Sequence, residues 1–139
     1  MKKQYVLDCK YDYGFKVLAI NSHSKPYKLC WNLNQKLGLN FEITDNHKIN
    51  KDLIFTRYKS ENTNRGPFNL LSNRSKKGYM IPSQKSVNYF LIIGAENWET
   101  MKDKLLKKLR AISDILLVFE LELDKEKNSD RFIIYDKKN

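Results

Sequence analysis

An uninterrupted apolar run, Tyr89-Phe90-Leu91-Ile92-Ile93, follows closely on Pro82, and this pairing constrains the fold more than any other feature of the chain. Proline has no N–H to donate to a strand ladder, so Pro82 stops whatever strand precedes it. A continuous apolar run of strand length suits a strand buried on both faces. Residues 87–93 are therefore expected in the middle of a sheet. The chain before them reads as mostly short strands, and the chain after them as a helix and a returning strand.

In order, residues 4–8 read as a short strand, Asp12-Tyr13-Gly14 as a turn and 15–20 as a second strand. Ser24 is placed to cap a helix whose first turn tolerates Pro26, because that N–H would be unpaired anyway. The helix runs to about Leu37. It carries Pro26, Cys30, Leu33 and Leu37 on one face, flanked by Tyr27 and Trp31, and Gly38 is its stop. Residues 39–43, 53–58 and 68–72 read as strands, 44–51 as a polar loop, and 61–66 as a turn. Ser75-Lys76-Lys77-Gly78 closes a tight hairpin into 79–81. Asn97 is expected to cap a second helix, with Trp98, Met101, Leu105, Leu106, Leu109 and Ile112 as its apolar stripe. A long strand over 115–123, a charged loop over 125–130, an edge strand over 132–135 and a flexible tail over 136–139 complete the chain.

Each helix has a strand on either side. The expected fold is α+β: one mostly antiparallel sheet with two helices packed on one face, a two-layer sandwich. A split βαβ arrangement is the alternative. With 139 residues the chain suits a single globular domain over 1–139. No apolar stretch approaches the roughly 18 residues of a membrane span. Asp8 interrupts the apolar run of the N-terminus too early for a signal peptide and is the wrong neighbour for a lipid anchor at Cys9. Cys9 and Cys30 lack metal spacing, and Cys30 on an apolar helix face reads as a reduced buried thiol, which points to the cytoplasm.

Ile81-Pro82-Ser83, with Val87-Asn88-Tyr89, resembles the signature of an uncharacterised family typical of Bacteroidetes, named for its motif Ile-Pro-Glu-x-x-x-Val-Asp-Tyr (IPExxxVDY). The likeness extends to Leu7-Asp8, to Asp12 through Phe15, to Ser22 through Trp31, to Lys107 through Arg110 and to Phe119-Glu120. It departs where Ser83 stands for Glu and Asn88 for Asp. Asn keeps the shape and hydrogen bonding of Asp without its charge, so an architectural role for the motif is expected. Genes of that family often lie beside the gene for ribonuclease III, which implies a leaning toward RNA.

Lys and Arg number 26 against 16 Asp and Glu, a net charge of +10. Excess positive charge draws polyanions. The same excess arises when an AT-rich genome writes Lys and Asn onto a neutral surface, and Arg, the better phosphate fork, occurs only at 57, 65, 74, 110 and 131. Gly-x-x-x-x-Gly-Lys-Ser/Thr, Gly-x-Gly-x-x-Gly, His-Glu-x-x-His and Cys-x-x-Cys are all missing. Neither a cofactor nor a metal is expected.

The leading candidate site is the basic side of the second helix, Lys104, Lys107 and Lys108, with Lys76 and Lys77 at a hairpin tip; RNA or an acidic protein would bind there. Dipole compensation explains the same helix charges, with Glu96 and Glu99 at its start and Lys107, Lys108 and Arg110 at its end. A second candidate is a pocket among Asp8, Asp12, Tyr13, His23 and Trp31, where carboxylates among aromatics suit acid–base chemistry or a cationic ligand. Ser22-His23-Ser24 within it reads as a nucleophile and base or, more blandly, as helix capping with a surface histidine. His47 reads as a solvated loop residue. The readings that result are a non-enzymatic cytoplasmic binding domain, a protein–protein module whose charge reflects composition, and, third, an enzyme.

Overall fold

A computed structural model of the chain describes residues 13–61 and 66–135. The strand expected over 4–8 and the tail over 136–139 lie outside the described residues. The described residues form eight strands and two α-helices in the order β1 Phe15–Asn21, α1 Pro26–Leu37, β2 Glu42–Ile43, β3 His47–Lys48, β4 Ile54–Phe55, β5 Arg57–Ser60, β6 Phe68–Ser72, β7 Tyr89–Gly94, α2 Trp98–Arg110 and β8 Leu117–Glu120. Six strands form one antiparallel sheet, β2-β5-β6-β7-β1-β8, and β3 pairs β4 in a separate hairpin. The fold is α+β. Strand β7 lies inside the sheet between β6 and β1, where its apolar run requires it to be. Because β1 separates β7 from β8, the β7–α2–β8 segment is also a split βαβ unit.

Alternation along β1 and β7 divides the core in two. Leu18, Ile20, Tyr89, Leu91 and Ile93 face the helices and meet Leu29, Cys30 and Leu33 of α1 and Trp98, Leu105 and Leu109 of α2. Both helices thus cover one face. Val17, Ala19, Phe90 and Ile92 point the other way, into a second core with Phe55, Leu71, Met80, Ile81, Val87, Leu121 and Phe132.

Among the described residues no regular layer covers that second face. Three irregular pieces do. The first is the β3–β4 hairpin with Ile49, Leu53 and Phe55; the strand expected over 53–58 breaks at Thr56, which lets Phe55 enter the second core while Arg57–Ser60 stays in the sheet. The second is the motif stretch around the 3-10 turn Pro82–Gln84, which contributes Ile81 and Val87. The third is the C-terminal segment. The strand expected over 115–123 pairs only as Leu117–Glu120, and beyond it the chain crosses the sheet through 3-10 turns at Leu123–Lys125 and Ser129–Phe132. Phe132, expected in an edge strand, instead meets Phe90 edge-on at 4.9 Å between ring centroids. The two-layer sandwich therefore gains an irregular third layer.

Buried polar groups knit this layer together. Asn73 is fully buried. Its side-chain amide donates to the Gln84 and Val87 carbonyls, each at 2.8 Å, and its carbonyl accepts from Ile81 N–H at 3.0 Å. Its backbone N–H donates to the Asn88 carbonyl, and its own carbonyl accepts from Met80. The loop around Pro82 is thus folded about one side chain. His47 is buried rather than solvated, and its Nε2–H donates to the Arg131 carbonyl. The Arg131 guanidinium in turn donates to the Tyr79 and Met80 carbonyls. These two residues tie the hairpin, the motif loop and the C-terminal segment to one another.

Helix details differ from expectation for local reasons. Helix α1 buries Leu29, Cys30 and Leu33, while Tyr27 and Trp31 stay 69% and 61% exposed, so its buried face is rotated away from both aromatics. Lys25, not Ser24, occupies the cap position, without a side-chain cap bond; the Ser24 hydroxyl is used elsewhere. Gly38 closes the helix in the left-handed region at φ 67°. Asn97 precedes α2 with φ 61° and does not cap through its side chain; the Thr100 hydroxyl donates back to the Asn97 carbonyl at 2.8 Å. No helix among the described residues is long and apolar enough to cross a membrane.

Three outcomes are expected in unfolding experiments. Leu105→Ala removes a buried contact between α2 and the sheet and should cost about 2–5 kcal/mol by denaturant titration. Asn73→Ala leaves three backbone groups without this partner, two of them in buried bonds, and should cost about 2 kcal/mol or more, since each buried unpaired group costs on the order of 1–3 kcal/mol. A loss below that seen for an exposed residue would refute the role given to Asn73. His47 behaves as a pH sensor of stability. Burial, aided by the Arg57 charge, lowers its pKa against the opposing Arg131 carbonyl. Above the ordinary value of about 6.5 both states are neutral there. As pH falls below it, the unfolded chain takes up a proton that the folded chain refuses, so stability drops. His47→Gln, which keeps an amide donor, should flatten the melting temperature over that range.

Candidate polyanion interface

Trp98, Leu105 and Leu109 turn one side of α2 to the core, and the 3.6-residue period then sends Lys104, Lys107 and Lys108 to the solvent side. None of the three forms an ion pair among the described residues. Asp103, four residues before Lys107, does not pair with it; Lys102 meets Glu99 at 3.8 Å instead. Glu99 in the first turn and Lys107, Lys108 and Arg110 in the last suit the helix dipole. Both effects, dipole compensation and a solvent-facing basic surface, are present in the same residues.

Lys76 and Lys77 belong to another surface. Their hairpin tip is closed by Ser75 N–H to the Gly78 carbonyl at 2.8 Å and by the Arg74–Tyr79 bridge. Gly78 lies against Leu53: a Cβ there would come within 3.1 Å of Leu53 Cδ2. Leu53 packs on the second core, so the tip lies on the sheet face opposite α2. The five lysines singled out from sequence are therefore divided between the two faces.

Of the pocket expected among Asp8, Asp12, Tyr13, His23 and Trp31, the described members Tyr13, His23 and Trp31 are not brought together. Asp8 and Asp12 lie outside the described residues. Tyr13 precedes β1 and His23 follows it, so the length of the strand separates them. Tyr13 stacks on Phe15 at 5.2 Å and shares a 3.0 Å hydrogen bond with the Ser129 hydroxyl. It lines a cleft of about 650 Å³ with Phe15, Trp98 and Glu120. Trp98 Nε1–H reaches Glu120 in that cleft at 3.4 Å, and Lys16 lies 3.9 Å from the same carboxylate. His23 is exposed at the far end. The Ser22 hydroxyl accepts Ser24 N–H, and the Ser24 hydroxyl donates to Asp114 at 2.8 Å, so neither serine is poised against His23.

That Asp114 contact replaces the expected cap. The Asp114 carboxylate accepts from Ser24 and Asn32 and lies 3.6 Å from Lys28 Nζ. The Ser24 hydroxyl first, and then Lys28 and Asn32, hold it below the ordinary carboxylate range against some desolvation. It ties the start of α1 to the loop after α2. Sequence spacing could not reveal it, because the partners are far apart in the chain.

Motif residues are structural in this arrangement. Ile81 and Val87 enter the second core and Tyr89 the first. The Tyr89 hydroxyl donates to the Ser24 carbonyl at 2.6 Å, and its pKa is pushed up to about 12, mainly by burial. Asn88 Oδ1 accepts from Ser22 N–H at 2.8 Å, and Ser83 donates to Glu126 at 2.9 Å. Cys30 is buried and its thiol is likewise raised to about 12 by desolvation, which leaves it protonated and unreactive. Among the described residues no group of three or more His, Cys, Asp or Glu side chains could hold a metal ion. The chain matches no model of a known protein family and no curated protein.

An Asp at 88 would accept the same Ser22 N–H. Asn88→Asp should therefore keep the fold and gain no metal dependence. A rise in its melting temperature on adding divalent metal, with none for the wild type, would contradict the structural reading of the motif.

Proposed function

We propose that this chain is a non-enzymatic cytoplasmic binding domain that docks onto RNA, alone or within a ribonucleoprotein, through the basic side of α2. The observation that supports this most is the exposure of Lys104, Lys107 and Lys108 with no ion pair among the described residues. Lysines free of acidic partners release counterions from a phosphate backbone when they bind it, which gives affinity without sequence reading. The net charge of +10 raises the local concentration of any polyanion. The resemblance to the IPExxxVDY family agrees with this reading, and we extend family membership to the chain only as part of the proposal.

The test is filter binding to single-stranded RNA across a salt series. Log affinity should fall with log salt by about 0.7 per phosphate contact. Lys104→Glu with Lys107→Glu and Lys108→Glu should remove the contribution of the α2 surface while leaving the melting temperature near wild type, because exposed substitutions shift stability by only about 0.5 kcal/mol each. Weak low-salt binding by the wild type, or unchanged binding by the triple variant, would refute the α2 reading.

A second reading, a protein–protein module, is favoured by a separate observation. Tyr27 and Trp31 stand one turn apart on α1, both largely exposed. Large aromatics in that state are common anchors of protein interfaces. This reading expects Trp31→Ser, and not the lysine variant, to abolish association.

A further inference from the structure

The basic surface that holds Lys76 and Lys77 is concave. A groove of about 840 Å³ runs between the hairpin tip and the turn that joins β3 to β4. Among the described residues Lys51, Arg74, Lys76 and Lys77 line it against a single carboxylate, Asp52, with the Asn46 amide at one side. None of the four cations forms an ion pair among the described residues. From this groove we infer a second, separate site, which takes the phosphate backbone of one strand of nucleic acid.

Both walls are built before any ligand arrives. On one side Ser75 closes on Gly78 through backbone and hydroxyl, and its hydroxyl also accepts Lys77 N–H at 3.3 Å. On the other, Asn50 Oδ1 accepts from Asp52 N–H and Leu53 N–H at 2.8 and 3.0 Å, and Ile49 pairs with Leu53. Gly78 packed on Leu53 sets the distance between the walls. Such turns hold their cations with little further loss of backbone entropy on binding.

The occupant follows from charge and shape. Four cations spread along a groove exceed what one small anion can neutralise, and they match a run of phosphates. Arg74 offers a planar fork to one phosphate and the lysines supply point charges. Charges on the walls of a concave surface focus their field inward. A flat anionic membrane cannot enter between the two tips, whereas a single strand can. No aromatic ring among the described residues lines the groove, so bases would not stack on it and the site would not read sequence.

The experiment measures fluorescence anisotropy of a labelled polyuridine oligonucleotide with the full chain. Parallel arms use vesicles rich in phosphatidylserine and inorganic phosphate as competitor. The groove variant combines Lys51→Glu, Arg74→Glu, Lys76→Glu and Lys77→Glu, and a control replaces the three lysines by arginine. The groove variant should lose at least about tenfold in affinity, and its salt slope should shrink by about 0.7 for each phosphate it no longer neutralises. The arginine control should bind like wild type. The triple variant of α2 should keep a salt-dependent component that the groove substitutions then remove. Equal affinity of groove variant and wild type, no residual binding in the α2 variant, or groove-dependent binding to vesicles without binding to the oligonucleotide would each overturn the inference. A groove effect with no effect of the α2 substitutions would support the groove and refute the α2 reading, so the two proposals fail separately. Circular dichroism melting of each variant confirms that it is folded.

Discussion

Strands β1 and β7 are apolar on both faces, and everything else in the molecule answers to that constraint. A strand exposed to water on one side would leave Val17, Phe90 and Ile92 uncovered, at about 25 cal/mol per Å² of apolar surface. Two helices cover one face because their stripes are long enough to span it. Among the described residues the other face is reached by segments too short to form layers of their own. The chain solves this by folding three such segments onto the sheet and joining them through buried hydrogen bonds.

Asn73 and Arg131 show why that solution needs polar residues inside. Irregular backbone buried against a sheet carries N–H and C=O groups with no ladder to join. The Asn73 amide satisfies three of them around Pro82, and the Arg131 guanidinium satisfies two more on the adjoining stretch of chain. His47 completes the link to the C-terminal segment. The motif stretch is thus a structural joint in which Ile81 and Val87 face one core and Tyr89 the other.

The surfaces left over carry the functional proposals. Charge is not spread evenly over the described residues: the solvent side of α2 and the groove at the hairpin tip are basic, while the cleft beside Trp98 holds Glu99, Glu120, Glu122 and Asp124. A polyanion would be steered to the first two and repelled from the third. Tyr13 and His23 do not share a site, because β1 holds them apart.

Sequence alone determined the class of fold, the position of β7, both helices and the stop at Gly38, since hydrophobic period, proline and glycine act locally. It also located Lys104, Lys107 and Lys108 on the outer side of a helix, because a helical period fixes which residues share a face. Tertiary structure decided what period cannot express. Phe55 and Phe132 went to the second core because that face of the sheet had to be covered. His47 was buried because a backbone carbonyl far along the chain became its partner. Tyr27 and Trp31 were left in water because Leu29, Cys30 and Leu33 took the face of α1 turned to the sheet. Lys76 and Lys77 joined Lys51 and Arg74 rather than α2, since contacts between distant segments, and not spacing along the chain, set which charges share a surface.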